Sequence, residues 1–195
     1  RKHFPALEEC VHFISHSLGC VPAQAEKDLG EFFELWRTKS ITAWGDWLPE
    51  VDRAAARIEK IASAPQGTII MHQNVSIAQA VICSCFDFSG GRNKIVYEAL
   101  NFPSVMYVYE AHRTLGARVT TVESDDGISV PLERMLAAID EETLLVPISH
   151  VLFKSGFVQD VAAITRRAHE VGALVVADLY QSAGSVPVDV TAWDV

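Results

Sequence analysis

The chain has 195 residues, 49% of them hydrophobic, enough apolar material to bury a core. Its 16 basic and 25 acidic side chains give a formal net charge of −9, which argues against a nucleic-acid backbone or an anionic membrane surface as partner. No apolar run reaches the ~18 residues that span a bilayer, no signal-peptide pattern opens the chain, and Cys10, Cys20, Cys83 and Cys85 form neither a CxxC pair nor a zinc-like spacing with a nearby His, so a reduced, cytoplasmic, metal-free protein is expected.

Residues 1–66 read as an N-terminal helical segment. One helix is expected after Val21-Pro22, running to about Trp36, with Leu29, Phe32, Phe33 and Trp36 recurring at three- and four-residue steps. A second is expected from about Leu48 to Ser63, with Val51, Ala54, Ala55, Ile58 and Ile61 on one face, before Ala64-Pro65-Gln66-Gly67 breaks it. From residue 67 the pattern alternates. Short β-branched runs at 68–70, 94–97, 117–122, 144–148 and 173–177 are separated by helical stretches near 76–87, 104–115, 131–139 and 160–171. Gly116 and Gly172 stand where a helix ends and a strand follows. Strands apolar on both faces with crossover helices between them predict a mostly parallel sheet covered on both sides, a three-layer α/β/α domain over 67–195. The chain begins with Arg and ends at Val195 in sequence heading towards a further strand, so both ends are expected to be cut.

In such sheets a ligand sits beyond the carboxyl ends of the strands, at helix N-termini. The segments to inspect are therefore 72–76, 98–104, 149–156 and 178–184. No GxGxxG and no Walker A sequence occurs, so a dinucleotide or nucleoside triphosphate is not favoured. In Val175-Val176-Ala177-Asp178-Leu179-Tyr180-Gln181-Ser182-Ala183-Gly184 a carboxylate closes a strongly apolar strand. A carboxylate in that dry position needs a cationic or proton-donating partner, and a protonated pyridine nitrogen is one. A helix cap or a plain loop carboxylate is the alternative. Met71-His72-Gln73-Asn74-Val75-Ser76-Ile77 opens a helix, where backbone N–H groups and the Asn and Ser side chains suit a phosphate, or serve as simple caps.

Asp178-x-x-Gln181-Ser182-Ala183-Gly184 resembles the strand-end signature of the class V aminotransferase family, fold-type I enzymes dependent on pyridoxal 5'-phosphate (PLP). Three further segments resemble kynureninases in particular, in the expected order. They are Phe13-Ile14-Ser15-His16-Ser17-Leu18-Gly19, Asn101-Phe102-Pro103-Ser104, and Ser149-His150-Val151-Leu152-Phe153-Lys154-Ser155-Gly156. The resemblance implies that Asp178 pairs with the pyridine nitrogen, Gln181 approaches the ring hydroxyl and Phe102 stacks on the ring. It places the phosphate near Asn74, Val75 and Ser76, puts Ser149 in the segment after a central strand, and brings Ser17 and Trp44 to the substrate. Bland roles stay open: Phe102 as a core residue, Ser17 in a glycine turn, His150 in the core, and Trp44 at a core or interface beside Trp36 and Trp47.

Two departures stand out. Kynureninases carry Asp where this chain has Val105, which bears on kynurenine as substrate. The Schiff-base lysine of the family follows the strand-end Asp by roughly two dozen residues, and no lysine lies between Asp178 and Val195. It is expected beyond Val195, so no catalytic residue is assigned here. The resemblance implies a cytoplasmic, homodimeric PLP enzyme acting on an amino acid. Hydrolytic Cβ–Cγ cleavage of kynurenine to anthranilate and alanine is the leading expectation. A class V aminotransferase, a cysteine desulfurase or another β-lyase on the same frame, and a non-catalytic α/β scaffold, stay open.

Overall fold

Four short runs rich in Val, Ile and Leu form the centre of the chain, as β-branched and aliphatic side chains fit a pleated, buried surface. The computed structural model describes residues 1–14 and 17–195; Ser15 and His16, inside the segment that resembles a substrate loop, lie outside the described residues. The chain divides into two compact units, Arg1–Arg57 and Ile58–Val195, with the division inside one helix.

The first unit contains α1 (Ala6–Glu9), α2 (Ala25–Lys39), a 3-10 turn (Ser40–Ala43) and the start of α3 (Trp44–Ala62). The predicted aromatic stripe of α2 meets the first turn of α3. Phe32 stacks on Trp47 with ring centroids 4.7 Å apart, and Trp36 and Trp44 meet the same indole edge-on at 6.4 and 5.6 Å. Edge and offset contacts of this kind add roughly 1 kcal/mol per pair beyond area burial. Ala43, in the turn between the helices, is fully buried.

The second unit runs α4 (Val75–Cys83), β1 (Lys94–Glu98), α5 (Pro103–Ala111), β2 (Arg118–Val122), α6 (Leu132–Ala138), β3 (Thr143–Ser149), α7 (Val161–Glu170), β4 (Leu174–Asp178) and α8 (Val190–Trp193). The strands form one parallel sheet in the order β2-β1-β3-β4. Side chains alternate across it as the two-residue period requires. Ile95, Tyr97 and Leu145 pack on one face with Cys83 of α4 and Val105 and Tyr109 of α5. Val96, Val146 and Ile148 pack on the other with Met135 of α6 and Val161, Ile164 and Ala168 of α7. The expected α/β/α layering is what these two cores describe.

The run at 68–70 is not a strand. It pairs with no neighbour among the described residues, and Ile70 is 78% exposed. A β-branched triplet is a strand only when an edge offers it a ladder, and neither β2 nor β4 does. The helix expected to reach residue 115 ends at Ala111 and tightens into a 3-10 turn, His112–Leu115. Gly116 follows at φ 101°, and a Cβ there would stand 2.7 Å from the carbonyl oxygen of Phe88, so the position requires glycine. At the same end of the sheet, Arg92 donates to Thr143 O at 2.8 Å and to Val171 O at 2.6 Å, tying together the approaches to β1, β3 and β4.

Candidate functional site

Strand order determines where a crevice opens. From β1 the chain leaves to α5 on one face of the sheet, and from the adjacent β3 it leaves to α7 on the other. Two neighbouring parallel strands whose connections diverge leave a gap beyond their carboxyl ends, the topological switch point where α/β sheets bind ligands. The residues there are Glu98 and the turn to Phe102 after β1, and Ser149 to Phe153 after β3. Asp178, ending β4, lies opposite Ser149 in the ladder, and His150 N–H donates to Asp178 O at 2.9 Å.

Asp178 is half-buried, and desolvation pushes its carboxyl above the usual aspartate range, opposed by the Tyr180 N–H that donates to Oδ1 at 2.9 Å. No cation ion-pairs with it among the described residues. Gln181 is half-buried in the turn that follows, and Ser182 beneath it is fully buried. Phe102 caps α5 with extended backbone ahead of Pro103, the position that suits proline, and the residue is 40% exposed rather than in the core. Its contact is the edge of Phe153, 5.1 Å between centroids, and Lys154 lies over the Phe153 ring at 5.5 Å. Lys154 is exposed.

Helix α4 opens at Val75 with Asn74 as its cap, Oδ1 accepting from Ile77 N–H at 3.0 Å. Val75 and Ser76 occupy the first turn, which holds no acidic residue. The helix's last residue, Cys83, packs with Ile95 and Ala117 near the amino ends of β1 and β2, and five residues on Phe88 O accepts from Asn93 Nδ2 just ahead of β1. Its N-terminus therefore points to the carboxyl edge, with the partial positive charge that favours an anion. Asn74 thus fills the bland capping role, and that role is compatible with an anion cradle.

Other expected residues fall elsewhere. Val105 is buried in the core between α5 and the sheet. His150 packs its ring against Trp193 at 4.6 Å, and burial lowers its pKa, which keeps a core imidazole neutral. Ser17 and Trp44 belong to the first unit. Ser17 is exposed, its N–H donating to Ile14 O at 3.0 Å, and Trp44 is 53% exposed at the rim of the aromatic cluster.

Beneath the crevice runs a network that the sequence reading did not assign. Ser149 N–H donates to Glu98 Oε1 at 3.0 Å, Ser149 Oγ–H to Asn101 Oδ1 at 3.2 Å, and Phe102 N–H to the same Oδ1 at 2.7 Å. Asn101 Nδ2 donates to Pro147 O at 3.2 Å, and Gln159 Nε2 to Ser149 O at 2.6 Å. Glu98, Asn101, Ser149 and Gln159 are all buried. Ser149 therefore spends its hydroxyl inside the protein, on the turn that carries Phe102. The available signal was Glu98 itself, a carboxylate closing the apolar run Ile95-Val96-Tyr97 just as Asp178 closes 173–177.

A parallel sheet with a desolvated strand-end carboxyl, an exposed aromatic residue and a helix N-terminus along one edge defines an α/β domain with a crevice at its switch point. The chain belongs to the class V aminotransferase family, whose sequence model matches residues 40–195. It is 29% identical to an uncharacterized aminotransferase, YcbU, of Bacillus subtilis over 100% of this chain and 51% of the relative. It is 30% identical to a kynureninase of Pseudomonas fluorescens over 97% of this chain and 46% of that protein. Among solved structures, the cysteine desulfurase CsdA of Escherichia coli superposes with a TM-score of 0.84 at 19% identity, covering 100% of this chain and 51% of the other. A complex of the cystine C-S lyase C-DES with its product cysteine persulfide gives 0.82, also at 19%, over 98% and 53%. At that identity the likeness is one of fold. The chain spans about half the length of the curated relatives it matches.

Proposed function

We propose that the chain is the cofactor-cradling part of a PLP-dependent class V enzyme that acts on an amino acid, with a reaction most like that of kynureninases. The observation that carries the reading is Asp178, a desolvated carboxyl at a strand end with no ion-pair partner among the described residues. The residues fit the cofactor by their chemistry. A pyridinium N–H is the partner that Asp178 lacks, the exposed Phe102 ring is flat and apolar, and α4 offers backbone donors to a phosphate.

PLP, when bound, supplies the electron sink that stabilises negative charge at the substrate α-carbon. Asp178 would hold the proton on the ring nitrogen, Phe102 would fix the ring plane, and Gln181 would donate towards the ring hydroxyl. Val75 and Ser76 N–H groups, with the Asn74 side chain beside them, would secure the phosphate end, and Ser149, opposite Asp178 in the ladder, would line the cofactor site. Ser17 and Trp44 are the substrate-side residues of this reading, and the lysine that bonds PLP is read as lying beyond Val195. Residues 67–195 are read as part of the PLP-binding large domain, residues 1–66 as an N-terminal helical segment, and the working protein as a cytoplasmic homodimer. The hydrolysis would add water across the Cβ–Cγ bond of kynurenine, giving anthranilate and alanine.

A desulfurase or lyase is the second reading, favoured by the fold likeness to CsdA and C-DES. The test supplies the full-length protein with PLP and, separately, kynurenine, cysteine, cystine and an amino acid with a keto-acid acceptor. Anthranilate with alanine is expected from kynurenine. Sulfide or persulfide, or a new keto acid, would replace the kynureninase reading with a sibling reaction. No product and no PLP bound would overturn the enzyme reading.

A further inference from the structure

The buried network under the crevice has a carboxyl at its root. Glu98 is 0% exposed, and β1 is a central strand, so there is no solvent on either side of it. Its Oε1 accepts from Ser149 N–H, while Oε2 is buried with no hydrogen-bond partner. No basic residue ion-pairs with it among the described residues. An ionised carboxylate with only neutral donors around it and one bare oxygen is the costliest group to keep in such a place, and native cores rarely retain one idly. What it touches is Ser149, whose hydroxyl bonds Asn101, whose Oδ1 in turn receives the Phe102 N–H. The same Ser149 faces Asp178 across the ladder.

We propose that Glu98 is a positioning residue of the cofactor site, acting as a neutral carboxylic acid. From the floor of the switch point it holds the ends of β1 and β3 in one register, and through Ser149 and Asn101 it fixes the backbone of Phe102 relative to Asp178. It touches neither substrate nor cofactor. Removing it would loosen the angle between the ring-stacking and ring-protonating residues while leaving both in place. This proposal rests on the PLP reading above.

The test uses the full-length protein, stripped of PLP and titrated with PLP alone. It follows the apparent Kd by tryptophan fluorescence and the orientation of the bound chromophore by its visible circular dichroism. Glu98→Gln keeps the shape and hydrogen-bonding capacity of a neutral acid and is expected to bind within about threefold of the parent, with an unchanged band. Glu98→Leu keeps the volume without the polar atoms and is expected to weaken PLP by tenfold or more and shrink the band. The unliganded far-ultraviolet spectrum should stay native. A Glu98→Leu protein with parental Kd and band would overturn the proposal, as would a Gln variant as impaired as the Leu variant. If Glu98→Leu does not fold, Asn101→Ala cuts the same link one step later. It is expected to reproduce the tenfold loss, and parental binding by that variant would be equally fatal. Failure of the parent protein itself to bind PLP would instead sink the functional reading, and this proposal with it.

Discussion

Two carboxyls close two strands of this sheet, and burial raises both, to different degrees. Asp178 is half-buried and pushed up; Glu98 is sealed in and pushed up to about 8, mainly by desolvation, with the Ser149 N–H and the Ser149 and Asn101 side chains opposing the rise. An acid whose folded value lies above its ordinary value of 4.5 keeps its proton in the folded state after the unfolded chain has lost it. Glu98 therefore costs nothing below pH 4.5, and costs progressively more stability as the pH rises towards 8. Asp178 has the same sign. Melting temperature of the PLP-free protein is expected to fall between about pH 5 and 8, and Glu98→Gln should flatten that fall. An identical slope in the two proteins would show that Glu98 is ionised or solvated after all. The sequence made Asp178 legible but hid Glu98 for a topological reason. A carboxylate at the end of an edge strand can turn to water, whereas one at the end of a central strand cannot. That β1 is central depends on the order β2-β1-β3-β4, which no local pattern encodes.

Helices and strands were legible wherever periodicity was long. Helices α2 to α7 and the four strands each stand where an apolar repeat predicts an element, but their ends move: α3 starts at Trp44 rather than Leu48, α4 runs from Val75 to Cys83 rather than to about 87, and Asn74, not Ser76, is its cap. Residues 68–70 misled because a β-branched triplet states a propensity, and pairing is a property of what stands alongside. Asn74→Ala removes the bond to Ile77 N–H and is expected to cost about 1 kcal/mol in chemical denaturation. It should also weaken PLP binding, because the cap sets the first-turn N–H groups; unchanged stability would deny the cap its role. Gly116→Ala meets both a left-handed backbone and the Phe88 carbonyl at 2.7 Å. A loss of about 2 kcal/mol is expected from denaturation midpoints, and a fully tolerated substitution would mean that the Phe88 turn yields.

At the scale of the molecule, the sheet leaves one side of β2 and one side of β4 without a strand among the described residues, and Leu174 on β4 is 50% exposed. Ile70, Met71 and Tyr180 add apolar surface in the same unit. Unpaired edges and apolar patches recruit further chains. The 195-residue polypeptide expressed by itself is expected to self-associate in sedimentation velocity at micromolar concentration and to bind a hydrophobic dye. A clean monomer that ignores the dye would contradict this.

The strand order also bears on how such a sheet can be made during synthesis. Taken in order of emergence, β2 pairs with β1, β3 pairs with β1 on its other side, and β4 pairs with β3. Among these four strands, each new one finds its neighbour already present, so none of them waits with an open slot for another of the four. Among these strands assembly spreads outward from β1, and β4 delivers Asp178 to an edge where Phe102 and Ser149 already stand.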